Sequence, residues 1–459
     1  MNYSNFLAGL KGKKIAMCGI GVSNTPLIKT FIGAGATVFA LDRREREAIG
    51  EVAGKIEALG AILRLGPDYM KNLDVDIIFR TPGMNFNSDE LVQARGRGIA
   101  VTSEMEVFLD VCPGTVFAVT GSDGKTTTST LIAKMLETSG KRVFLGGNIG
   151  KPLLPEVNDM TDSDYIVVEL SSFQLISMRK GANVAVVTNV APNHLDVHKD
   201  MDEYIDAKRS IVAHQNAFSR TVLNYSDEIT KSFSAQARGQ LLYFSMDEKM
   251  QNGAYLGDDG YLYMSYKGET TKVIHKDEIA ILGDHNVANY LTAITAVWGY
   301  VSIADIAKVA ATFHGVPHRI EFVREVNGVK YYNDSIATSP TRTIAGLKAF
   351  DRKIILLAGG YDKHIPFEPM VPYIIEKVKT LILTGPTAQR IEQAVKACPD
   401  YKGSPKILHE DGLQSAVKTA NEKAVSGDIV SLSPACASFD AFPNFAARGE
   451  CFKDLVNEI

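Results

Sequence analysis

The chain has 459 residues, too many for one hydrophobic core, and its length favours about three domains. Hydrophobic residues make up 45% and charged residues 22%, as in soluble globular proteins, and the net charge of -4 gives no reason to expect nucleic acid or a membrane as a partner. Five dispersed cysteines without CxxC spacing argue against a zinc site or a disulfide framework, and the lack of a long apolar run predicts a cytoplasmic protein.

Apolar, β-rich runs separated by helical segments recur in three sets along the chain. The first set is KKIAMCGI, ATVFALD, VDIIFRTPG and IAVTSE. The second is GTVFAVTGS, KRVFLGGNIG, DYIVVELSS and NVAVVTNVAP, and the third is GVKYYNDS, KIILLAGG, TLILTGP and GDIVSLSP. Continuous apolar strands alternating with helices indicate parallel sheets covered on both faces. We therefore predict an α/β protein of three domains, at residues 1–103, 104–315 and 316–459.

Residues 220–280 have a different pattern within the second set. LLYFSMD, GAYLGDDGYLYMSYKG and TKVIHKD are typical of short strands, with DDG and KG turns between some of them. We predict a small antiparallel insertion in the middle domain.

The first strand runs into the turn Gly19-Ile20-Gly21-Val22-Ser23-Asn24, and the next strand ends in Asp42-Arg43. This pattern is similar to a dinucleotide fingerprint, in which an acid about twenty residues after the turn binds a ribose hydroxyl. Asn24 stands where the third glycine belongs. The turn therefore fits a nucleotide diphosphate at a helix start at least as well as NAD.

The segment VFAVTGSDGKTTTSTLIAKML predicts a strand, a glycine-bearing turn and an amphipathic helix. Gly121 and Gly124 allow the backbone N–H groups to face an anion, Lys125 adds a charge, and the Thr126 hydroxyl is placed to bind magnesium. The strict GxxxxGK[ST] pattern is not met, but the shorter TGSDGKT form keeps Gly, Lys and Thr at a helix start. We call residues 121–127 the phosphate loop and predict ATP or GTP binding, with a surface turn and a solvated lysine as the alternative.

Several polar residues follow other strands of the second set. Glu169 directly follows an apolar run and is either a magnesium ligand or a helix-capping acid. His194 is either a hydrogen-bonded loop residue or a metal ligand, and His198 is predicted to lie on the surface. Lys208, in the predicted helix MDEYIDAKRSIV, reads from the sequence alone as a solvated lysine.

Three more residues have two interpretations each. Asn286 begins a predicted helix, where asparagine is a common cap. Arg319 could reach a phosphate or pair on the surface. Asp334 follows a strand and is either a turn acid or a ribose contact.

Nine segments in order resemble the motifs of the Mur ligase family, over nearly the whole chain: TGSDGKTT, GGNIG, VELSSFQL, TNVAPNHLDVH, the AK of DAKRS, GDHNVAN, PHRIE, YNDSIAT and LSPACASFDAF. ELSSFQL, SPACASFDAF and the GIG turn are most similar to members that join D-glutamate to UDP-N-acetylmuramoyl-L-alanine through an acyl phosphate. The resemblance implies a Rossmann-like N-terminal domain, a P-loop-type central ATPase domain and a Rossmann-like C-terminal domain. It also implies ATP and two Mg²⁺ ions as cofactors, and we expect a monomer.

The resemblance carries over to individual positions. For ATP it implies Gly121, Ser122, Asp123, Gly124, Lys125, Thr126, Thr127, Asn286, Arg319 and Asp334. For magnesium it implies Thr126, Glu169, His194 and Lys208, the lysine as an N-carbamate, with Lys125, Glu169, His194 and Lys208 forming the catalytic set. For the UDP-linked substrate it implies Gly21, Val22, Ser23, Asn24, Asp42, Arg43 and Asn148. For the amino acid it implies Thr338, Lys363, Ser438, Phe439 and Phe445.

The sequence departs from the family at one of these sites. The family often has a lysine two residues beyond the aspartate of NDS, and this chain has Ile336. Lys363 is then the main predicted cation for the glutamate side-chain carboxylate. Alternatives are another Mur or folate-extending ligase, a nucleotide-regulated binding protein without chemistry, and an NAD-dependent oxidoreductase based on GIGVSN.

Overall fold

The computed structural model describes residues 2–21, 23–194, 197–363 and 365–459. Contacts divide the chain into one unit of residues 1–278 and 285–311 and a second unit of residues 279–284 and 312–459. The described residues form three β-sheets in chain order, two in the first unit and one in the second. The predicted α/β class is confirmed.

The first sheet is built from parallel strands, as its continuous apolar runs predict. Its strands are β1 (Lys14–Cys18), β2 (Thr37–Asp42), β3 (Ile62–Leu65), β4 (Ile77–Arg80) and β5 (Ala100–Thr102). The helices of this region are α1 (Tyr3–Ala8), α2 (Thr25–Gly33), α3 (Arg46–Ile49), α4 (Glu51–Ala58), α5 (Asp89–Gly96) and α6 (Glu104–Val111). The strand order β3-β2-β1-β4-β5 puts β1 in the middle, so the turn after β1 opens at the centre of the sheet edge.

The second sheet has the strand order β14-β13-β12-β11-β10-β9-β6-β8-β7. Its strands are β6 (Thr115–Thr120), β7 (Val143–Gly147), β8 (Tyr165–Glu169), β9 (Val184–Val187), β10 (Arg220–Asn224), β11 (Gln240–Ser245), β12 (Gly253–Leu256), β13 (Tyr261–Tyr266) and β14 (Glu269–His275). The helices are α7 (Lys125–Thr138), α8 (Ser172–Leu175), α9 (Met201–Ala213), α10 (Glu228–Ser232), α11 (Asp284–Val297) and α12 (Ile303–Thr312). Since β6 lies between β8 and β9, the segments that follow these three strands meet at one edge.

The predicted antiparallel insertion is correct only in part. Strands β12, β13 and β14 are antiparallel, but β11, which contains LLYFS, pairs parallel with both β10 and β12. All of these strands extend the main sheet. The prediction was wrong for β11 because a short half-buried run does not reveal the direction of its partner strand.

The second unit contains one sheet with the order β15-β16-β20-β17-β18-β19. Its strands are β15 (Glu321–Val326), β16 (Val329–Asn333), β17 (Ile354–Gly359), β18 (Val378–Thr384), β19 (Lys406–His409) and β20 (Ile429–Leu432). The helices are α13 (Pro340–Lys348), α14 (Val371–Lys377), α15 (Ala388–Ala397), α16 (Leu413–Lys423) and α17 (Phe445–Asn457). Only the β15–β16 pair among these named strands is antiparallel.

Strand β17 shows how the third sheet is buried. Its residues are all buried, with Leu356 and Ala358 in one hydrophobic cluster and Ile355 and Leu357 in another. Alternate side chains therefore enter cores on opposite faces, which explains why the sequence is continuously apolar. Short 3-10 helices complete the described elements at Leu154–Asp159, Phe233–Gln236, Lys276–Glu278 and Glu368–Met370.

Candidate active site

The phosphate loop leaves β6 and enters α7 through two glycines that other residues could not replace. Gly121 and Gly124 have φ angles of +152° and +77°. A Cβ atom at Gly124 would lie 2.5 Å from Oδ1 of Asn289, and one at Gly121 would collide with the hydroxyl of Thr188. Glycine is therefore required by conformation and by space at both positions.

Side chains from the segment after β9 hold the phosphate loop in place. The Ser122 hydroxyl bonds the carbonyl and the amide of Ala191, at 2.8 and 2.9 Å, and the Tyr204 hydroxyl at 2.8 Å. The Asn189 side chain accepts from the Asp123 amide at 2.9 Å and donates to the Asp123 carbonyl at 3.1 Å. Asn189 and Tyr204 were not singled out from the sequence, although Asn189 belongs to the quoted TNVAPNH segment.

Lys125 begins α7 and points back over the loop. Its Nζ donates to the carbonyls of Gly121 and Ser122, each at 2.9 Å. The ammonium group therefore lies beside the loop backbone, next to the positive end of a 14-residue helix. This is the arrangement in which a loop cradles an anionic group.

Glu169, the last residue of β8, is 1% exposed and faces the start of α7. Its carboxylate accepts from the Thr126 hydroxyl at 2.7 Å and from Asn148 Nδ2 at 2.8 Å. Both donors are neutral, and the carboxylate also interacts electrostatically with Lys208. Ser171 caps α8, with its side chain accepting from the Gln174 amide, so the helix-capping interpretation of Glu169 is wrong. A carboxylate and a hydroxyl are oxygen ligands that suit Mg²⁺.

Lys208 lies on α9 and is 2% exposed, so its interpretation as a solvated lysine is wrong. Its Nζ donates to the Gly121 carbonyl at 2.7 Å. Burial, together with the charge of Lys125, lowers the pKa of Lys208 to about 7. The amine is therefore substantially neutral at physiological pH.

The two candidate histidines lie near the ring of Phe173, in different environments. His194 is exposed, has a φ of +56°, and its ring centre is 5.1 Å from that of Phe173. His198 was predicted to lie on the surface, which is wrong, because it is 4% exposed and stacks on Phe173 at 5.1 Å. Its two ring nitrogens lie 3.0 Å from Glu203 Oε1 and 2.9 Å from Ser172 Oγ. These polar partners allow a histidine to be buried.

Asn286 on α11 connects to the first turn of α7 through Asn289, a residue that sequence reasoning missed. Asn289 Nδ2 donates to Asn286 Oδ1 at 3.0 Å, and Asn289 Oδ1 accepts from the Thr128 hydroxyl at 3.2 Å. Residues three apart share a helix face, so the spacing in GDHNVAN was the available signal. Thr127, also assigned to ATP, is buried in the first turn of α7.

The turn after β1 is organised by Asp42. Its carboxylate accepts from the Ile20 amide at 2.9 Å and from Arg44, whose Nε and Nη2 lie 2.9 and 2.8 Å away. Although burial opposes ionisation, the bonds from Arg44 and Ile20 hold the pKa of Asp42 at about 2. Sequence reasoning named Arg43, which is exposed, and missed Arg44.

Asn24 turns inward from the same loop. It is 1% exposed, and its Nδ2 donates to the Cys18 carbonyl at 2.9 Å, so it ties the turn to the end of β1. Gly21 is exposed and Ser23 is half-buried, while Val22 lies outside the described residues.

In the second unit, Asp334 follows β16 and is 4% exposed. It accepts from the Ser433 hydroxyl at 2.7 Å and from the Ile320 amide at 3.3 Å. Burial raises its pKa to about 7, against the opposing effects of Ser433 and of the nearby charges of Arg319 and Arg342. Arg319 is exposed and lies next to this acid.

The predicted amino-acid residues divide into two groups. Lys363 Nζ donates to the Thr338 carbonyl and hydroxyl, at 3.3 and 3.4 Å, so these two are brought together. Ser438 is buried, whereas Phe439 is 63% exposed, and Phe445 begins α17. The structure records no bond between the two groups among the described residues.

Arg448 was missed by sequence reasoning and organises the second group. Its Nε donates to Ser335 Oγ at 3.0 Å, and its Nη atoms donate to the carbonyls of Ser335, Cys436 and Ala437 at 2.9 to 3.1 Å. The Phe445 carbonyl accepts from the same Ser335 hydroxyl at 2.8 Å. Arg448 thus links the segment after β16 to the one after β20.

Two kinds of feature are absent from the described residues. No helix in the described ranges is long and apolar enough to cross a membrane. Within the same ranges, His, Cys, Asp and Glu side chains do not gather in threes that could hold a metal ion.

Comparison with known proteins adds to this geometry. The Mur ligase middle domain family matches residues 119–297, and the Mur ligase, glutamate ligase domain family matches residues 318–436. The chain is 48% identical to a UDP-N-acetylmuramoylalanine--D-glutamate ligase of Clostridium novyi (strain NT), over 100% of this chain and 99% of the relative. It is 49% identical to the protein of the same name from Ruminiclostridium cellulolyticum, over 99% and 98% of the two chains.

Two solved structures resemble the fold. A UDP-N-acetylmuramate-alanine ligase from Thermotoga maritima has a TM-score of 0.57 at 17% identity, covering 97% of this chain and 99% of its own. A UDP-N-acetylmuramoyl-L-alanyl-D-glutamate--2,6-diaminopimelate ligase has a TM-score of 0.54 at 18% identity, covering 92% and 86%. At these identities the likeness concerns the fold.

Proposed function

Because this chain belongs to the Mur ligase family, we propose that it joins D-glutamate to UDP-N-acetylmuramoyl-L-alanine at the expense of ATP, in the synthesis of peptidoglycan precursors. The observation that carries the proposal is the phosphate loop with Lys125 above it and the Thr126–Glu169 pair beside it. Such an arrangement suits the phosphates of a nucleoside triphosphate and the metal ion that accompanies them.

The reaction follows from the chemistry of a carboxylate. The substrate carboxylate attacks the γ-phosphorus of ATP, forming an acyl phosphate and releasing ADP. The amine of glutamate then attacks the acyl carbon, so that a C–N bond forms, phosphate leaves and the amine loses a proton. Two anions must meet in the first step, and each unit repulsion at 4 Å costs about 4 kcal/mol at an effective dielectric of about 20.

The residues of the chain act on that repulsion. Lys125 supplies positive charge at the phosphates, and the loop N–H groups and the N-terminus of α7 add to it. The mechanism requires no covalent enzyme intermediate. Burial raises the pKa of the Cys436 thiol to about 11, so this cysteine stays protonated at neutral pH and is a packing residue.

For magnesium, the proposal assigns Thr126 and Glu169 to one ion and His194 and carbamylated Lys208 to a second. The ions would neutralise phosphate charge and polarise the transferred group. The oxygen atoms of Thr126 and Glu169, together with the burial of Glu169, fit such a role.

The environment of Lys208 supports carbamylation. Its pKa of about 7 leaves a neutral amine that can attack CO₂, forming an N–C bond and releasing a proton. The product is an anion, which the neighbouring charge of Lys125 stabilises. The same burial that lowers the pKa thus prepares the group for modification.

The remaining assignments extend the proposal to each domain. A Rossmann-like domain at residues 1–103 would hold the UDP group near Ser23, Asp42 and Arg43, and a P-loop-type domain at 104–315 would hold ATP. Within this second domain, Asn148 would contact the muramoyl-alanine end. A Rossmann-like domain at 316–459 would place Arg319 and Asp334 at the nucleotide and bind the amino acid. We further propose a cytoplasmic location, since ATP and a UDP-linked sugar are the expected substrates. We also propose that the protein is a monomer.

Phosphate release tests the proposal. The chain is incubated with ATP, Mg²⁺ and UDP-N-acetylmuramoyl-L-alanine, and D- and L-amino acids are added one at a time. Release should depend on D-glutamate together with the UDP-linked acceptor. Release with L-glutamate and a folate acceptor would indicate the folate-extending alternative, and nucleotide binding without release would indicate a binding protein.

A further inference from the structure

A third cationic residue accompanies Arg319 and Lys363 in the second unit, and we call these three the cationic cluster. Arg342, the third residue of α13, has its Nη1 3.1 Å from the Ile336 carbonyl, to which it donates. The Thr338 amide donates to the same carbonyl at 2.8 Å. Lys363 Nζ donates to Thr338. Arg342 and Lys363 therefore both donate hydrogen bonds to one short turn, residues 336–338.

Like charges are held close together in the cationic cluster. Partial burial, followed by the charge of Arg319, lowers the pKa of Arg342. Partial burial, followed by the charge of Arg342, lowers the pKa of Lys363. Each cation thus destabilises the next, so a bound anion would stabilise all three.

The nearby acids do not cancel this charge. Burial raises the pKa of Asp334 to about 7, so it is only partly ionised at neutral pH. The Asp362 carboxylate is paired with Arg390. Arg342 itself is partly exposed, so the rest of its guanidinium can meet a ligand.

We propose that Arg342 binds a carboxylate of the incoming amino acid, together with Lys363 and Thr338, a role that rests on the function proposed above. Ile336 is apolar and brings no charge to this turn, whereas Arg342 reaches its carbonyl from the next helix. A guanidinium offers paired N–H donors that match the two oxygens of a carboxylate.

The terminal phosphate of ATP is an oxyanion of similar chemistry. Arg342 shares its turn with Lys363 and Thr338, which are predicted to bind the amino acid. Arg342 donates a hydrogen bond to this turn, whereas its interactions with Arg319 and Asp334, which are predicted to bind the nucleotide, are electrostatic. We therefore assign the amino-acid carboxylate as the ligand. Separate measurements of the KM for D-glutamate and the KM for ATP distinguish it from the ATP phosphate.

The test measures phosphate release by the full chain while D-glutamate and ATP are varied separately. Arg342→Met should raise the KM for D-glutamate at least about tenfold, the loss of one charge-assisted contact, and change the KM for ATP less than about twofold. The KM of Arg342→Lys for D-glutamate should lie between those of the wild type and of Arg342→Met. In the double variant Ile336→Lys/Arg342→Met, a lysine restores charge to the turn and should recover part of the affinity.

Arg352→Met is the matched control, because Arg352 is an exposed arginine of the same unit that pairs with Asp351. An unchanged KM for D-glutamate in Arg342→Met and in Arg342→Lys would overturn the proposal, as would an increase in the KM for ATP instead. A double variant no better than Arg342→Met would overturn the claim that charge is what the turn supplies. A wild-type chain without D-glutamate-dependent release would refute the proposed function itself.

Discussion

The phosphate loop and the cationic cluster both offer positive charge to an anion, but they are assembled in opposite ways. The loop is one continuous segment whose lysine bonds carbonyls of its own turn, and neighbouring side chains fix its backbone. The residues of the cationic cluster, Arg319, Arg342 and Lys363, come from three segments. Arg342 and Lys363 both donate hydrogen bonds to the turn at residues 336–338. The loop therefore depends on backbone shape that no side chain can replace, whereas the cluster depends on charges that can be exchanged.

The largest effect is expected in the phosphate loop. Lys125→Ala should lower kcat on the order of 10³-fold, because it removes a fixed cation from the transferring phosphate. The thermal unfolding midpoint should stay close to that of the wild type, since the hydrogen bonds of the ammonium to the Gly121 and Ser122 carbonyls lie within one short loop. Phosphate release and a melting curve measure the two quantities.

Lys134→Ala is the control for that variant. Lys134 lies on the same helix, is half exposed and pairs with Glu137 on the surface. It should keep wild-type kinetics, because surface pairs contribute little. Near-normal activity of Lys125→Ala would refute the assignment of the loop to ATP.

A smaller effect, and a reversible one, is expected at Lys208. Lys208→Ala should lower activity on the order of 100-fold, because it removes a group assigned to the second metal ion. Added formate or acetate should restore part of it, because a small carboxylate can occupy the place of a carbamate. The same acids should not rescue Lys125→Ala. A Lys208→Ala protein that is fully active without additive would exclude the carbamate.

A smaller effect is expected in the cationic cluster, where Arg342→Met should raise the KM for D-glutamate about tenfold. A loss of kcat as large as that of Lys125→Ala would remove the distinction between a shape-dependent and a charge-dependent site.

The last effect lies outside both regions, at Glu104 on α6, and concerns stability and not activity. It is 5% exposed, and its Oε1 accepts from the amides of Leu153 and Leu154 at 2.9 and 2.8 Å. Burial raises its pKa from 4.5 to about 7, so the folded chain keeps a proton that the unfolded chain releases between these values. Stability from this group is full below pH 4.5 and is lost as the pH rises through 7.

Glu104→Gln keeps the acceptor oxygen and removes the ionisation. At pH 8 the variant should therefore be more stable, by up to about 3 kcal/mol, with little difference at pH 5. Thermal melts at both pH values measure this, and kinetics should not change. An equal shift at both pH values would contradict ionisation as the cause.

The sequence correctly predicted the strand, the glycine-bearing turn and the helix around the phosphate loop, because their residues are contiguous and need no distant partner. It also predicted most strands, since buried parallel strands are continuously apolar. It missed β3, β10, β15 and β19, each of which carries a charged residue, and it assigned the wrong partner direction to β11. The residues of a short strand do not specify which strand it pairs with or in which direction.

Side-chain environments were harder to predict than positions. The burial of His198 depends on Ser172 and Glu203, which lie on other elements, and that of Lys208 depends on packing against the phosphate loop. Arg342 stood in a helix without a motif, and only the fold brings it to Ile336. Such residues become visible once tertiary contacts are known.

The end of the second sheet has a consequence for self-association. Strand β14 closes the strand order, and an exposed edge strand is a template for pairing with another molecule. The exposed residues of this strand include Glu269, Thr270 and Lys272. The Lys272 ammonium lies over the Tyr261 ring, 3.3 Å from its centre. Charged side chains along such a rim disfavour the approach of a second β-strand, so the extended sheet can remain long without acting as a seed for aggregation.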